Sequence, residues 1–270
     1  MRHTALPDGA DHTVLYIARG LDNDAGSKIA RFVRSYTNFN AGLDHHLCVI
    51  VKGYSDEETK RRHLDLFSGT NHSVYETGDD DFDVGAYASA AKTIKSRYVC
   101  LLNTNSQIMS NNWLAKLAVN LTDEVGIVGA TGSFEALRAT HPDFPSFPNI
   151  HIRSNGLLIR REHAVRFLPE RVSDKMAAWR VESGLKSLTR HILDLGLTVL
   201  VVGRNGRGYA PSEWPVSCTF RQGLQENVLI HDNQTRSYEV AHYQDKIHMS
   251  KSTWGPFSLM IENKTEPNGR

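Results

Sequence analysis

Two short segments hold most of the polar chemistry that this chain concentrates in one stretch. Residues 79–83 read DDDFD, and residues 103–107 read NTNSQ directly after the apolar run YVCLL. Ionised aspartates only accept hydrogen bonds and draw cations, whereas asparagine amides donate and accept but are weak ligands for a hard divalent ion. A polar tip after a buried strand lies where open α/β sheets gather their ligands, outside the carboxyl ends of the strands. Five arginines further on, Arg153, Arg160, Arg204, Arg207 and Arg221, can oppose an anion through paired N–H groups. Most single arginines are surface charges. Arg204 and Arg207 stand out because they follow a strong apolar run in the glycine-rich loop GRNGRG.

The elements that must position these groups follow from periodicity. Residues 14–18, 47–51, 72–75, 98–102, 125–129 and 197–202 are apolar runs of strand length. Between them, Ile29, Phe32, Val33 and Tyr36 form a helical stripe behind a Ser27 cap, and 56–67 reads as a charged helix. Val84, Tyr87, Ala88, Ala91 and Ile94 predict a helix over 83–95 with Asp83 as N-cap. Leu114, Leu117, Ala118 and Leu121 give another stripe, and Val181, Leu185, Leu188, Ile192 and Leu195 a long one over 176–195 that Gly196 stops. Residues 140–149 hold three prolines and read as a surface loop, and 150–160 alternates like an added strand. This β-α alternation predicts an α/β fold: a mostly parallel central sheet with helices on both faces. The expected organisation is an N-terminal extension over 1–12, one domain over 13–214, and a C-terminal extension over 215–270 packing on the domain or on a partner.

With 270 residues, 40% of them hydrophobic, the chain can bury a large core. A net charge of +1 argues for neither nucleic acid nor strong membrane attraction. Cys48, Cys100 and Cys218 are odd in number and widely separated, which suits buried thiols in a reducing compartment. The first twelve residues lack an apolar signal core, and no run approaches the roughly 20 apolar residues of a membrane span. The expected location is therefore cytoplasmic, including a peripheral position at the inner membrane face. Histidines at 45, 46, 242 and 248 lack metal-ligand spacing, and no GxGxxG, GxxxxGK[ST] or GxSxG motif is present.

The first strand with its short polar turn, Asp83 and Gly85 at a helix start, the strand ending in LNTNSQ, and the segments HIRSNGLLIRRE and VESGLKSLTRHIL resemble GT-A glycosyltransferases. The similarity is to the inverting family 2 type, and within it to bacterial polysaccharide and rhamnan-type transferases, over about residues 13–203. It implies transfer of a hexosyl or deoxyhexosyl unit from a nucleotide-sugar donor to a hydroxyl on a glycan or lipid-linked acceptor, and leaves a homo-oligomer open. It also implies that Ala18, Arg19, Gly20 and the acidic turn Asp79–Asp81, with Asp83 at the helix start, hold the base and ribose, Asp81 and Asp83 foremost.

The family's paired aspartates, which carry Mg²⁺ or Mn²⁺, are here Asn103 and Asn105. Neutral amides disfavour either ion, so no metal ligand is assigned. Asn103 and Asn105 are then expected to contact the donor, with Arg204 and Arg207 neutralising the leaving diphosphate. Glu182, in the segment aligned with the family's acceptor-side helix, is the expected base, and Asp174 is the reserve. Trp214 and Trp254 either stack on sugar rings or pin loops to the core. A second expectation, which loss of the paired aspartates would suit, is a catalytically inactive sugar-binding or scaffold module. A third, a sugar-nucleotide nucleotidyltransferase, lacks the glycine-rich phosphate loop it needs.

Overall fold

The computed structural model describes residues 10–260. The chain runs β1 (His12–Arg19), α1 (Ala25–Asn38), β2 (His46–Lys52), α2 (Glu57–Asp65), β3 (His72–Glu76), α3 (Phe82–Thr93), β4 (Tyr98–Leu102), β5 (Gln107–Ile108), α4 (Trp113–Asn120) and β6 (Val125–Gly129). It continues through β7 (Gly132–Ser133), β8 (His151–Ile152), β9 (Leu157–Arg160), α5 (Arg161–Phe167), α6 (Lys175–Ser183), α7 (Leu188–Asp194), β10 (Thr198–Val202), β11 (Gly208–Tyr209), β12 (Ile230–His231), α8 (Asn233–Val240) and α9 (Tyr243–Trp254). Of the proposed N-terminal extension, residues 1–9 lie outside the described residues, as do 261–270 of the C-terminal one.

The main sheet has the order β11-β10-β6-β9-β4-β1-β2-β3. Strands β4, β1, β2 and β3 are mutually parallel, as are β10 and β6, while β9 lies antiparallel between β6 and β4. This is the expected α/β architecture. Alternate residues of each strand feed opposite faces: Leu15, Ile17, Cys48 and Ile50 pack under α3, while Val14, Tyr16, Leu47 and Val49 join Phe32 of α1 and Trp113 of α4. Parallel strands that alternate with helices carry all their carboxyl ends to one edge, and the polar residues that follow those ends collect there.

Four local expectations are corrected. The added strand over 150–160 is two strands, β8 and β9, broken by a turn at 153–156 in which Gly156 takes φ +71°. The long helix over 176–195 is also two: α6 stops at Gly184, and Ser187 caps α7 through the Arg190 N–H. A Cβ at Gly184 would stand 2.6 Å from the Arg180 carbonyl oxygen, so this stop needs glycine. Leu185 and Leu195, expected in the buried stripe, are exposed. At the acidic turn, Asp81 rather than Asp83 occupies the N-cap position of α3, and Phe82 sits in the left-handed region at φ 52°. Helix α1 starts at Ala25, ahead of Ser27.

The segment after residue 214 adds to the same body. β12 pairs antiparallel with β5, and Phe220 and Trp254 join the core cluster that holds Trp214. Trp214 donates to the Tyr209 carbonyl and Trp254 to that of Phe220, so both tryptophans pin loops.

Candidate functional site

A cleft of about 700 Å³ opens at the carboxyl ends of β1, β2 and β4. Its floor is Arg19 and Lys52 at two strand ends, one wall is the acidic turn, and the tip after β4 supplies Asn103 and Asn105. The facing wall comes from elements far away in sequence: Ser154 and Asn155 between β8 and β9, Trp179 and Glu182 on α6, and Asp232 before α8.

The acidic turn is tied to the strand ends by charge. Arg19 grips Asp79 with Nε and Nη2, at 2.8 and 2.6 Å, and reaches Asp22 with Nη1 at 2.9 Å. Lys52, only 1% exposed at its side chain, donates to the Phe82 carbonyl at 2.6 Å and lies 3.3 Å from Asp79 and 3.7 Å from Asp83. A buried ammonium needs such partners. That demand explains the backbone of Phe82, since a left-handed bulky residue is disfavoured unless its surroundings hold it there. Burial would raise the Asp79 pKa, but the hydrogen bonds from Arg19 and the charge of Lys52 outweigh it and lower it. Asp83 has the opposite balance: burial raises its pKa, and Lys52 only partly offsets that. Its side chain nevertheless keeps 43% of its surface open to the cleft.

Gly20 lets this floor close. A Cβ there would lie 2.7 Å from the Gly53 carbonyl oxygen and from the Tyr54 ring, so only glycine allows the turns after β1 and β2 to touch.

The tip is a small knot of amides. Asn103 Oδ1 accepts from the Asn105 N–H at 2.9 Å, while the buried Asn155 accepts from the Asn103 N–H at 3.1 Å and the Ser106 hydroxyl at 2.5 Å. Arg236 donates to the Asn105 carbonyl at 2.9 Å. Asn103 therefore uses its amide oxygen inside its own turn, the arrangement that makes Asn and Asp turn formers.

On the facing wall, Glu182 points one carboxylate oxygen at Ser154, accepting from its N–H at 2.9 Å and from its hydroxyl at 2.6 Å. Trp179, one turn earlier on α6, is 40% exposed, and Lys175 lies 5.1 Å from its ring centre. Arg153 stacks over Phe220 at 4.5 Å and pairs with the buried Asp232 at 3.2 Å.

The structure thus brings Arg19, Asp83, Asn103, Asn105, Arg153 and Glu182 to one cleft, and places Ala18, Asp81, Asp174, Arg204 and Arg207 elsewhere. Ala18 is buried in β1 and does not line it. Asp81 faces away: it accepts from the Val172 N–H at 3.1 Å and anchors the loop before α6 to the start of α3. Asp174 is the N-cap of α6, accepting from the Ala177 N–H at 2.8 Å, and that bond together with the Ser173 hydroxyl lowers its pKa. Arg204 and Arg207 are exposed beyond β10, Arg207 paired with Glu213, and neither lines the cleft. The interposed β9 explains this, because it sets β6 and β10 to the side of β4, so their carboxyl ends lie at the same edge but beside the cleft. Residues not singled out from sequence are Lys52, Ser154, Asn155, Trp179 and Asp232. Only Lys52 carried a signal, a lone charge closing the apolar run LCVIVK.

Among the described residues no three His, Cys, Asp or Glu side chains are grouped to hold a metal, and the carboxylates on the floor already face Arg19 and Lys52.

No protein-family model matches the chain, and no curated protein matches it either. Among solved structures it is similar to a mannosyltransferase from Pyrobaculum calidifontis in complex with GDP-Man and Mn²⁺, at 14% identity over 63% of this chain and 51% of that one, TM-score 0.46. It is also similar to mouse xyloside xylosyltransferase 1, at 12% identity over 68% and 75%, TM-score 0.40. A nucleotidyl transferase from Methanothermobacter is similar at 14% identity over 70% and 84%, TM-score 0.44. The chain spans about half the length of the mannosyltransferase.

Proposed function

We propose that the protein is a glycosyltransferase that moves a sugar from a nucleotide-sugar donor to a hydroxyl acceptor on a glycan or lipid-linked chain. The observation that carries this reading is the cleft itself, in which the acidic turn and the tip after β4 face a carboxylate, Glu182, across open space. Asp83 is the ligand for base or ribose, because it keeps surface in the cleft while Asp79 is gripped by Arg19. Asn105 and the side-chain amide N–H groups of Asn103, whose backbone N–H is taken by Asn155, contact the donor sugar. Glu182 is the base: one oxygen is fixed by Ser154, and the other takes the acceptor proton as the hydroxyl attacks the anomeric carbon in an inverting displacement.

Lys175 and Arg153, rather than Arg204 and Arg207, oppose the leaving diphosphate from the cleft wall. Transfer is metal-independent on this reading. A thermal-shift panel of UDP-, dTDP- and GDP-sugars with EDTA or with Mn²⁺ tests both points, since a ligand that binds only the native state raises the melting temperature. A selective rise in EDTA supports the reading, a rise seen only with Mn²⁺ overturns metal independence, and no rise with any nucleotide-sugar overturns the function. The expected setting is polysaccharide biosynthesis at the cytoplasmic face. No helix among the described residues is long and apolar enough to cross a membrane.

One observation favours a binding module without catalysis: the Asn103 amide oxygen closes its own turn and is withdrawn from the cleft. Nucleotide-sugar binding with no turnover against any hydroxyl acceptor would select that second reading.

A further inference from the structure

At the opposite end of the sheet a separate pocket of about 300 Å³ is lined by Lys95, Ser96, Arg97, Arg160, Arg161 and Glu162. Four of these six are cations, and sheet register is what gathers them. β4 and β9 run antiparallel with Tyr98 opposite Arg160, so the residues just outside the ladder, Arg97 and Arg161, meet, and the Arg161 N–H donates to the Arg97 carbonyl at 2.8 Å. Like charges placed opposite each other across a strand pair repel, so this arrangement costs stability unless an anion shares the site.

Among the described residues, carboxylates do little to neutralise the three arginines. Arg160 is held by the carbonyls of Val125 and Thr122 at 3.0 and 2.8 Å, and its carboxylate partner, Asp123, is 99% exposed at its side chain. Arg97 lies 5.2 Å from the Tyr98 ring centre, and Arg161 reaches the Ala91 carbonyl only at 3.4 Å. Among the described residues neither has a carboxylate within ion-pair distance, in contrast to Arg180 and Arg207 on the open surface, which each take one. Ser96 adds a hydroxyl, placed by its 2.6 Å hydrogen bond to Thr13.

The geometry points to a binding site for a phosphoryl group, held by the guanidinium groups of Arg97 and Arg161 with Lys95 and the Ser96 hydroxyl beside them. Guanidinium forks match phosphate oxygens in spacing and charge, and a concave site presents several donors to one group. Arg97 and Asn103 flank strand β4 (Tyr98–Leu102) on either side, six residue steps apart, so the pocket is about 20 Å from the tip at roughly 3.3 Å per residue. It is therefore a second site, independent of the proposed transfer reaction, and a phosphoryl group there comes either from a soluble phosphorylated compound or from an anionic lipid head group.

The test uses the full chain and Arg97→Gln/Arg161→Gln, which leaves the buried Arg160 in place to keep the fold. Melting temperature is followed with inorganic phosphate against chloride at matched ionic strength, and both proteins are sedimented with phosphatidylcholine vesicles with and without phosphatidylglycerol. The expected result is a phosphate-specific rise, or pelleting with the anionic vesicles, that weakens about tenfold or more in the variant. Pelleting assigns the lipid source, and a rise without pelleting assigns a soluble one. Neither effect in the native chain, or an equal effect in the variant, overturns the proposal, because binding that survives the substitution belongs to another part of the surface.

Discussion

Ser154 holds one carboxylate oxygen of Glu182 twice, from its N–H at 2.9 Å and from its hydroxyl at 2.6 Å. The other oxygen is thereby aimed by a fixed partner instead of by a mobile helix surface, which is what a proton acceptor needs. Glu182→Gln keeps the size and an acceptor for the Ser154 N–H but removes the basic oxygen. Transfer should fall about 10² to 10⁴-fold with donor affinity unchanged. Near-full transfer in this variant would make Glu182 a loop anchor and nothing more.

Lys52 gives a stability prediction. Its ammonium is buried and faces Asp79, Asp83 and the Phe82 carbonyl together. Lys52→Met fits the space but leaves two carboxylates without their shared cation, at a cost of about 3 kcal/mol, the low end for breaking a buried pair because Asp79 and Asp83 retain some access to the cleft. Denaturant unfolding measures this. A change below about 0.5 kcal/mol, the scale of an ordinary surface substitution, would show that Lys52 does not organise the acidic turn.

What could be read from sequence divides along physical lines. The run 98–102 and the stripe of α3 are local patterns, and both fold as the spacing predicts, to within two residues. The cleft depends on pairings that no local pattern encodes. Arg19 meets Asp79 across 60 positions, and Arg236 reaches the Asn105 carbonyl across 131. Arg204 and Arg207 looked well placed because they follow a strand end. Their strand lies beyond an antiparallel insertion whose existence was visible but whose position between β4 and β6 was not. The break at Gly184 was hidden for another reason: Leu185 and Leu195 continue the apolar period although the helix ends, and the close approach of Gly184 to the Arg180 carbonyl oxygen, which leaves no room for a side chain, shows only in the structure.

Asp83 carries a pH signature of known sign. Burial raises its folded pKa above the ordinary carboxylate value of about 3.9, so the native state holds this proton more tightly than the unfolded chain. Its contribution to stability is full below that ordinary value and declines as pH rises through the raised one. Asp83→Asn, which cannot ionise, should therefore melt higher than the native chain at neutral pH, and the difference should vanish below about pH 4. The same variant should bind the nucleotide about tenfold more weakly, through loss of a charge-assisted hydrogen bond. A melting difference independent of pH would refute the titration, and unchanged nucleotide affinity would remove Asp83 from the site.

Asp81 separates packing from binding within the same turn. Its Oδ1 accepts from the Val172 N–H at 3.1 Å, and its contact with Arg171 at 3.4 Å is to a side chain that is 89% exposed, an ion pair worth little. The loop it anchors comes very close to α3: a Cβ at Gly85 would stand 2.6 Å from the Glu170 carbonyl oxygen. Removing the carboxyl in Asp81→Ala leaves the Val172 N–H without its acceptor and should cost about 1–2 kcal/mol. Asp81→Asn keeps an amide oxygen at the same place and should stay within about 0.5 kcal/mol of the native chain. Neither should change nucleotide affinity, because the side chain points away from the cleft. Calorimetric titration of both variants with the best nucleotide from the thermal-shift panel decides the point. A loss of affinity in Asp81→Asn, with stability intact, would return Asp81 to the binding site that its sequence position first suggested.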